Sequence, residues 1–502
     1  MTSKPEHDNP ARETITSPLD PPQLNPRFIS ALEELIAVAQ SGHSSDSEFF
    51  NPDDSWLLKR MRIFQEMLPS EQSKILEEAK YIIEESSKAN LEGKAGKRAW
   101  ADAVIRLDNG GIAAYSQLGV ARRPDLTQYL IEGFTRNRDS LAFEEANQSL
   151  FSEVLPYITK IMSESFKSGT YVVQTDRQIG DGTNRSFHAR EFWFGTQYPH
   201  LPYMWRQLTF DLPQDKLSKV PDILEVSVPS WLEDLAMPAD LIRRIKETGV
   251  TQLVFKAPTR GVSLHLGFDY MGEHKMGPLS IAMFKVKQSR GLAVQAALSV
   301  AKARAVDGTV SNSAVVTTGP SLHGKSTLTI MLELAESELS RKLGLSSFDG
   351  EGVYPMNDDI VLIQALENPY EFVKNGEAVR ITHAIDGTEN SLYAVPFGLT
   401  KKDDPITHDV LRGTDRHPNS QETLENVVVD PATGKPDYSQ NPVRNMRMIL
   451  NRSRLLERKG VKDLLTNLTS GSVSNSVHVP MEAMDRISWQ GVMRQNLSLI
   501  HI

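Results

Sequence analysis

The spacing of hydrophobic and polar positions changes once along the chain. In the first part, apolar residues recur at helical intervals over residues 28–36 and again over 57–91, with Glu and Lys at the remaining positions. In the later part, short runs rich in β-branched and aromatic residues predict strands at 170–173, 191–194 and 252–256. The pattern therefore predicts a mainly helical segment followed by a mixed α/β region.

A glycine-rich segment interrupts the apolar pattern in the second half of the chain. Residues 319–326 read Gly-x-x-x-x-Gly-Lys-Ser, directly after an apolar, β-branched stretch and directly before a helical pattern at 328–343. This strand–loop–helix context is the one that a phosphate-binding P-loop requires. We expect backbone N–H groups to face the nucleotide phosphates, Lys325 to contact the same oxygens and the Ser326 hydroxyl to bind Mg²⁺.

A pair of carboxylates follows the P-loop pattern. Asp358 and Asp359 come directly before the apolar run at 360–363. A P-loop site needs a carboxylate from a neighbouring strand to hold Mg²⁺. Two adjacent carboxylates at the start of an apolar strand are costly unless a cation or a hydrogen-bond donor faces them. The sequence therefore predicts that these aspartates complete the metal site.

Composition narrows the classes of function. Acidic residues outnumber basic ones, 64 to 55, and the formal net charge of −9 argues against a general nucleic-acid or membrane-surface binder. The absence of cysteine excludes disulfides, thiolate metal sites and thiol nucleophiles. No apolar run has the length of a membrane span and no signal sequence is recognisable, so the cytoplasm is the expected compartment.

Residues 401–422 are polar and predict a long loop or an insertion.

Several motifs, taken in order, resemble those of the ATP-dependent phosphoenolpyruvate carboxykinases. Residues 270–277 are similar to the family pattern Y-x-G-E-x-K-K-G, and residues 319–328 are similar to its P-loop, G-x-S-G-x-G-K-T-T-L. Residues 357–359 are similar to G-D-D, and residues 389–394 are similar to E-G-G-C-Y-A. Residues 424–430 begin Leu-Glu-Asn-Val, which matches the family's L-E-N-V. An acidic–aromatic pair, Asp437-Tyr438, and Asn445-Met446-Arg447, similar to N-T-R, follow in the family's order. An ordered series of motifs is less probable by chance than any one of them.

The resemblance implies an α/β, two-lobed phosphoenolpyruvate-carboxykinase-like fold with a P-loop nucleotide-binding C-terminal lobe and a helical N-terminal extension. The expected divisions are a disordered tail at 1–26, a mainly helical part at 27–168, a mixed α/β lobe at 169–290 and the P-loop lobe at 291–502. The family converts oxaloacetate and ATP to phosphoenolpyruvate, CO₂ and ADP, as in gluconeogenesis. It uses Mg²⁺ with the nucleotide and a second ion, usually Mn²⁺, at the small-molecule substrate.

The resemblance also assigns roles to single residues. The expected catalytic residues are Lys275, Lys325, Asp358 and Arg447, the last of which would meet the transferring phosphoryl group. The expected nucleotide-binding residues are Gly319, Ser321, His323, Gly324, Lys325, Ser326, Thr327 and Glu389. The expected metal ligands are Ser326, Asp358 and Asp359.

The chain departs from the family at the second metal. The family's lysine ligand is replaced by Met276, and its histidine ligand falls near Ala296, with no histidine between His274 and His323. A thioether is a poor ligand for a hard cation such as Mn²⁺. Arg177 is a possible carboxylate-binding residue, although a surface role is the preferred interpretation.

Three hypotheses remain open from the sequence. The first is a carboxykinase with an altered metal site. The second is a diverged kinase that keeps phosphoryl transfer but uses another small-molecule or protein acceptor. The third is a non-catalytic ATP-binding protein. We expect a phosphoryl-transfer enzyme, because a γ-phosphate arginine is not needed for binding alone; the acceptor, the choice of ATP over GTP and the oligomeric state stay open.

Overall fold

The computed structural model describes residues 25–118, 127–132, 141–142, 148–169, 171–181, 184–217, 219–304, 307–318, 352–374, 376–402, His408, Arg412, 423–443, 445–451 and 476–480. The predicted P-loop at 319–326, the helical pattern at 328–343, nearly all of the predicted disordered tail and most of the polar segment at 401–422 lie outside these residues.

The described part of the chain is a mixed α/β structure with several sheets. Its α-helices are α1 (Pro26–Ser41), α2 (Asp54–Leu58), α3 (Pro69–Leu91), α4 (Gln148–Ser168), α5 (His200–Leu208), α6 (Trp231–Asp234), α7 (Ala239–Glu247) and α8 (Met271–Gln288). Its first ten strands are β1 (Ile105–Arg106), β2 (Ile112–Ala114), β3 (Thr127–Ile131), β4 (Leu141–Ala142), β5 (Val172–Ile179), β6 (Phe187–Phe194), β7 (Phe210–Asp211), β8 (Ile223–Val228), β9 (Gln252–Ala257) and β10 (Val262–Leu266). The remaining strands are β11 (Leu292–Arg304), β12 (Val310–Thr318), β13 (Gly352–Asn357), β14 (Ile360–Lys374), β15 (Glu377–Gly387), β16 (Ser391–Ala394), β17 (Thr423–Glu425), β18 (Val429–Asp430), β19 (Lys435–Pro436), β20 (Arg447–Asn451) and β21 (Ser476–Pro480).

The largest sheet has eight strands in the order β4-β3-β9-β10-β8-β6-β5-β7. Helices α1 and α4 pack on one of its faces. In α1, the buried residues Phe28, Leu32 and Leu35 recur at helical spacing, and the Phe28 ring meets that of Phe255 edge to face, with centroids 5.4 Å apart. Alternate residues of β8 and β10 face this core. The opposite face of the same strands is therefore left for α8.

Helix α8 lies between two sheets. It contacts β8 and β10 of the eight-stranded sheet and β11 and β14 of a second sheet. That second sheet runs in the order β12-β11-β14-β15-β21, with β13 also paired to β11. The apolar residues Met271, Leu279 and Val286 of α8 are buried in a core that includes side chains from both sheets. This position brings the α8 side chains next to the turn between β13 and β14.

A third sheet joins distant parts of the chain in the order β1-β2-β17-β20-β16. Strand β2 runs parallel to β17, with Ala114 paired to Glu425. Strand β17 pairs antiparallel with β20, which places Glu425 beside Arg447. Strands from the predicted helical segment at 27–168 thus belong to the same sheet as residues of the predicted P-loop lobe.

The predicted elements are confirmed in part. The helical pattern at 28–36 lies in α1, and the strand patterns at 191–194 and 252–256 lie in β6 and β9. The prediction of a continuous helix over residues 57–91 is wrong in its first third, because α2 ends at Leu58 and α3 begins at Pro69. Between them Ile63 is extended and bridges Val104, and Pro69 lacks the N–H that a continuing helix would use. Among the described helices, none is both long and apolar enough to span a membrane.

Candidate active site

The turn between β13 and β14 carries the predicted acidic pair. The Asn357 side chain donates to the carbonyl of Ile360 (2.7 Å) and accepts from the backbone N–H of Glu389 (3.3 Å), which fixes the turn against the start of β16. The backbone N–H of Tyr393 donates to Asp358 Oδ2 (3.0 Å). Asp358 and Glu389 are buried, whereas Asp359 is partly exposed. The structure therefore gathers three carboxyl groups at one turn.

Within the described part of the chain, one buried ammonium group faces these carboxyls. Lys275 comes from α8, is 2% exposed, and places Nζ 2.8 Å from Asp359 Oδ2 and 3.1 Å from Glu389 Oε1. Burial lowers the pKa of Lys275, but the nearby carboxylates Asp359, Glu389 and Asp358 outweigh it, so the pKa lies above its ordinary value. Lys275 is therefore charged at neutral pH.

The carboxyl groups at this turn differ in their surroundings. Burial raises the pKa of Glu389 to about 8; Lys275 opposes this increase, and the neighbouring Asp358 and Asp359 add to it. Glu389 therefore keeps its proton over most of the neutral pH range, and the oxygens of Asp358 and Asp359 remain beside it. An arrangement of this kind can accept a divalent cation, which carboxylate oxygens prefer when the ion is hard.

Arg447 lies beside two tyrosines at the edge of the cluster. Its guanidinium carbon is 5.9 Å from the centroid of the Tyr270 ring and 5.6 Å from that of Tyr393. The Tyr393 hydroxyl donates to Glu425, and the other Glu425 oxygen accepts from the backbone N–H of Met271 (2.7 Å). Burial raises the pKa of Glu425 to about 7. Tyr393 also lies under Lys275, whose Nζ is 4.9 Å from the ring centroid.

The residues around Asp359 do not match a second Mn²⁺ site of the family's kind. The two Asp359 oxygens face nitrogen donors, Lys275 Nζ and, at 3.4 Å, Gln295 Nε2. Met276 packs against the apolar core, and Ala296 is buried in β11. A protonated amine and an amide nitrogen offer hydrogen atoms rather than lone pairs, so among the described residues this donor set does not fit a second hard cation.

The described end of β12 leads the chain toward this cluster. Thr318 pairs with Ala296 of β11, the neighbour of Gln295. Residues 315–318 form the end of β12, as predicted for the strand before the P-loop. The described segment therefore ends at Thr318, close to Gln295, which contacts Asp359.

The structure brings together Lys275, Asp358, Asp359, Glu389 and Arg447 from four separate places in the sequence. The remaining predicted site residues, Gly319, Ser321, His323, Gly324, Lys325, Ser326 and Thr327, lie outside the described residues. The catalytic, nucleotide-binding and metal-binding roles of both groups stay predictions.

Sequence reasoning assigned no role to four residues of the cluster, Tyr270, Gln295, Tyr393 and Glu425. Glu425 had a usable signal, because a carboxylate in the short buried strand β17 must find a partner. Gln295 had no such signal.

The surface role preferred for Arg177 is wrong: this residue is buried, and its guanidinium donates to Thr209 Oγ1 (3.0 Å) and to Asp211. It holds β5 to β7.

Comparison with known proteins supports a distant relationship. The sequence matches no protein-family model. It is 29% identical over 361 residues to a phosphoenolpyruvate carboxykinase (ATP) from Aeropyrum pernix, a match that covers 71% of this chain and 57% of the relative. The matched part thus spans little more than half of the relative's length. This chain is distantly similar to the phosphoenolpyruvate carboxykinases.

Proposed function

We propose that this chain is an ATP- and Mg²⁺-dependent phosphoryl-transfer enzyme whose reaction is that of the ATP-dependent phosphoenolpyruvate carboxykinases. The observation that carries the proposal is the convergence of Lys275, Asp358, Asp359, Glu389 and Arg447 on one turn. The distant relative supports the same reaction class. The P-loop pattern that follows Thr318 supplies the phosphate-binding element.

The aspartate oxygens of the turn are the ligands that the Mg²⁺ of a metal–nucleotide complex would use. Asp358 and Asp359 would hold Mg²⁺ together with Ser326 of the P-loop pattern, and this ion would neutralise charge on the nucleotide phosphates. Asp358 is already held in place for this role, because its Oδ2 accepts a hydrogen bond from the backbone N–H of Tyr393. Glu389, with its raised pKa, would face the nucleotide as a neutral acid or as a partner of Lys275.

Lys275 and Arg447 would supply the fixed positive charge of the reaction. Loss of CO₂ from oxaloacetate leaves the electron pair of the broken carbon–carbon bond as an enolate. The enolate oxygen then attacks the γ-phosphorus of ATP and ADP departs. Lys275 would stabilise the enolate, and Arg447 would stabilise the phosphoryl group in transit, because both are preorganised cations in a site of low polarity.

A second candidate function rests on Met276 and Ala296. Since the nitrogen ligands of the family's second ion are absent at these positions, the scaffold could transfer the phosphoryl group to a different acceptor that needs no such ion. In that case ATP is consumed but oxaloacetate is not a substrate.

The test is an assay of purified full-length protein with oxaloacetate, ATP, Mg²⁺ and Mn²⁺ that measures phosphoenolpyruvate and ADP directly. We expect the wild type to form both products in equal amounts. Lys275→Met should lower the rate by about 100-fold or more, in the range found when a preorganised electrostatic group is removed. Lys287→Met, at an exposed position of the same helix, should retain the wild-type rate.

Calorimetric titration with ATP separates the other outcomes. ADP formation without phosphoenolpyruvate would favour the second candidate. ATP binding with no turnover under any condition would support the non-catalytic hypothesis and overturn the proposal. A Lys275→Met variant as active as the wild type would contradict the role assigned to Lys275, and an active Lys325→Ala variant would contradict the P-loop assignment.

A further inference from the structure

A row of buried polar residues crosses the eight-stranded sheet on the face that α8 covers. Strand pairing places Thr175, Glu191, Glu225, Ser263 and Lys256 side by side on five consecutive strands. All except Lys256 are fully buried. A polar row of this length in a sheet interior requires partners, since each unsatisfied group costs free energy.

Two histidines join this row at its centre. His265 lies two residues after Ser263 and therefore on the same face of β10. His274 comes from α8, which packs on that face. Glu225, His265 and His274 are at most 1% exposed, and one ligand atom from each lies within 4.8 Å of the others. This buried trio is separate from the cluster around Asp359, which lies on the other side of α8.

The contacts of His274 allow a tautomer whose lone pair faces a carboxylate. Its Nε2 lies 3.3 Å from the carbonyl of Phe268, which can only accept, and 3.4 Å from the hydroxyl of Ser227, which can also donate. With the ring hydrogen on Nε2 and directed at Phe268, His274 Nδ1 directs its lone pair at Glu225 Oε1, 2.9 Å away. A cation between these two atoms would satisfy both of them. A carbonyl bonded to the far nitrogen is also the usual support of a metal-binding imidazole.

The spacing of the trio suits a tetrahedral ion. Bonds of about 2.0–2.2 Å from Zn²⁺ to nitrogen and oxygen place neighbouring ligand atoms about 3.3–3.5 Å apart. Each imidazole has a nitrogen near one of the two Glu225 oxygens, 2.9 Å from His274 Nδ1 to Oε1 and 3.8 Å from His265 Nε2 to Oε2, so binding through a single carboxylate oxygen requires a small adjustment of the side chains. Ser263 Oγ, 2.7 Å from His265 Nε2, is a further oxygen beside the same centre.

Among the described residues, no lysine or arginine lies within ion-pair distance of the Glu225 carboxyl. Its Oε2 accepts no hydrogen bond. The nearest lysine of the row, Lys256, instead donates to Ser280 Oγ (2.9 Å) and to the Met276 carbonyl (3.1 Å) of α8.

We infer that Glu225, His265 and His274 form a structural site for a borderline divalent cation, for which Zn²⁺ is the best match to two imidazoles and one carboxylate. The ion would tie α8 to β8 and β10. Because Lys275 is the next residue after His274, the ion would also fix the position of the candidate active-site lysine. The inference does not depend on the proposed phosphoryl transfer.

The test uses tag-free full-length protein, loaded with Zn²⁺ alone and then dialysed against metal-free buffer. Elemental analysis should find about one tightly held Zn²⁺ per chain, as for a closed structural site. Glu225→Gln has the shape of the protonated acid, so it should fold whether or not the site binds metal, yet it should lose the ion. His265→Asn should lose it too. His43→Gln, at a buried histidine bonded to the Val172 carbonyl, should retain it.

Thermal unfolding with and without a chelator provides an independent readout. Removal of Zn²⁺ should lower the Tm of the wild type and of His43→Gln but leave that of Glu225→Gln unchanged, because an ion that binds only the folded state stabilises it. A wild type that holds no more Zn²⁺ than folded Glu225→Gln would overturn the inference. The trio would then be a proton-bridged network with a protonated Glu225. A loss of phosphoryl transfer without a change in Zn²⁺ content or Tm would not test the metal site.

Discussion

At the residue scale, Glu425 shows how burial sets the state of a carboxyl group. It is fully buried, accepts from the Tyr393 hydroxyl and from the Met271 N–H, and lies next to Arg447 in the neighbouring strand. Burial dominates, and the pKa rises from 4.5 to about 7. Between about pH 4.5 and pH 7, the folded chain therefore keeps a proton on Glu425 that the unfolded chain has released.

The first prediction concerns the pH dependence of Glu425→Gln. Because the folded state binds the extra proton, raising the pH from about 5 to about 8 should destabilise the wild type relative to this variant, by on the order of 3 kcal/mol. The glutamine can still accept from Met271 N–H and can donate to Tyr393. Urea unfolding of both proteins at the two pH values measures the difference. Stability curves that stay parallel from acid to alkaline pH would contradict the raised pKa.

At the element scale, α8 matters most because it presents one side chain to each of two clusters. His274 points to the polar row of the eight-stranded sheet, and Lys275 points to the carboxyls of the β13–β14 turn. Gly277 lets the helix approach the sheet: a Cβ atom there would lie 2.5 Å from His265 Nε2, 2.6 Å from Glu225 Oε2 and 2.8 Å from Ser263 Oγ. These distances are shorter than a packed side chain permits.

The second prediction is that Gly277→Ala destabilises the protein. In an exposed helix the same change would stabilise by roughly 0.5–1 kcal/mol, since alanine is the better helix former. Here the added methyl group must displace buried polar side chains, and overpacking of this kind costs about 1–3 kcal/mol. Chemical denaturation measures the sign, with Gln288→Ala at an exposed position of α8 as the control. A Gly277→Ala variant more stable than the wild type would show that the helix stands further from the sheet.

At the scale of the whole molecule, a buried ion pair connects the two large sheets. Arg185, just before β6, donates through Nε and one terminal nitrogen to the two oxygens of Asp386 in β15, at 2.9 and 3.0 Å. Asp386 is fully buried. The carbonyl of Arg185 also accepts from the Gln364 side chain in β14. These contacts hold the eight-stranded sheet against the sheet that carries Asp358 and Asp359.

The third prediction is that Arg185→Met lowers the free energy of unfolding by about 3–5 kcal/mol, because it leaves Asp386 buried without its cation. Adding Asp386→Leu should recover much of the loss, since the uncompensated charge is then gone. Arg62→Met is the control: its pair with Asp102 has a similar distance, 2.9 Å, but both side chains are more than half exposed. That change should cost no more than about 1 kcal/mol. If Arg185→Met and the double variant lose the same free energy of unfolding, the loss comes from packing and not from the uncompensated charge of Asp386.

The sequence by itself determined the features that depend on local pattern. Helical periodicity located α1, short aromatic and aliphatic runs located β6 and β9, and a dipeptide of carboxylates before an apolar run marked the turn at Asp358. These predictions succeed because neighbouring residues in the chain fix the period and the local charge. The ordered motifs also pointed to Lys275 and Arg447.

Only the tertiary structure decided which polar groups meet and which are buried. Glu225, His265 and His274 become neighbours because strands β8 and β10 are paired and α8 packs across them, and no spacing in the sequence encodes that contact. The burial of Arg177 and the position of Glu425 beside Arg447 have the same origin. Strand register and helix packing are set by contacts between residues far apart in the chain, so a periodicity over a few residues carries no information about them.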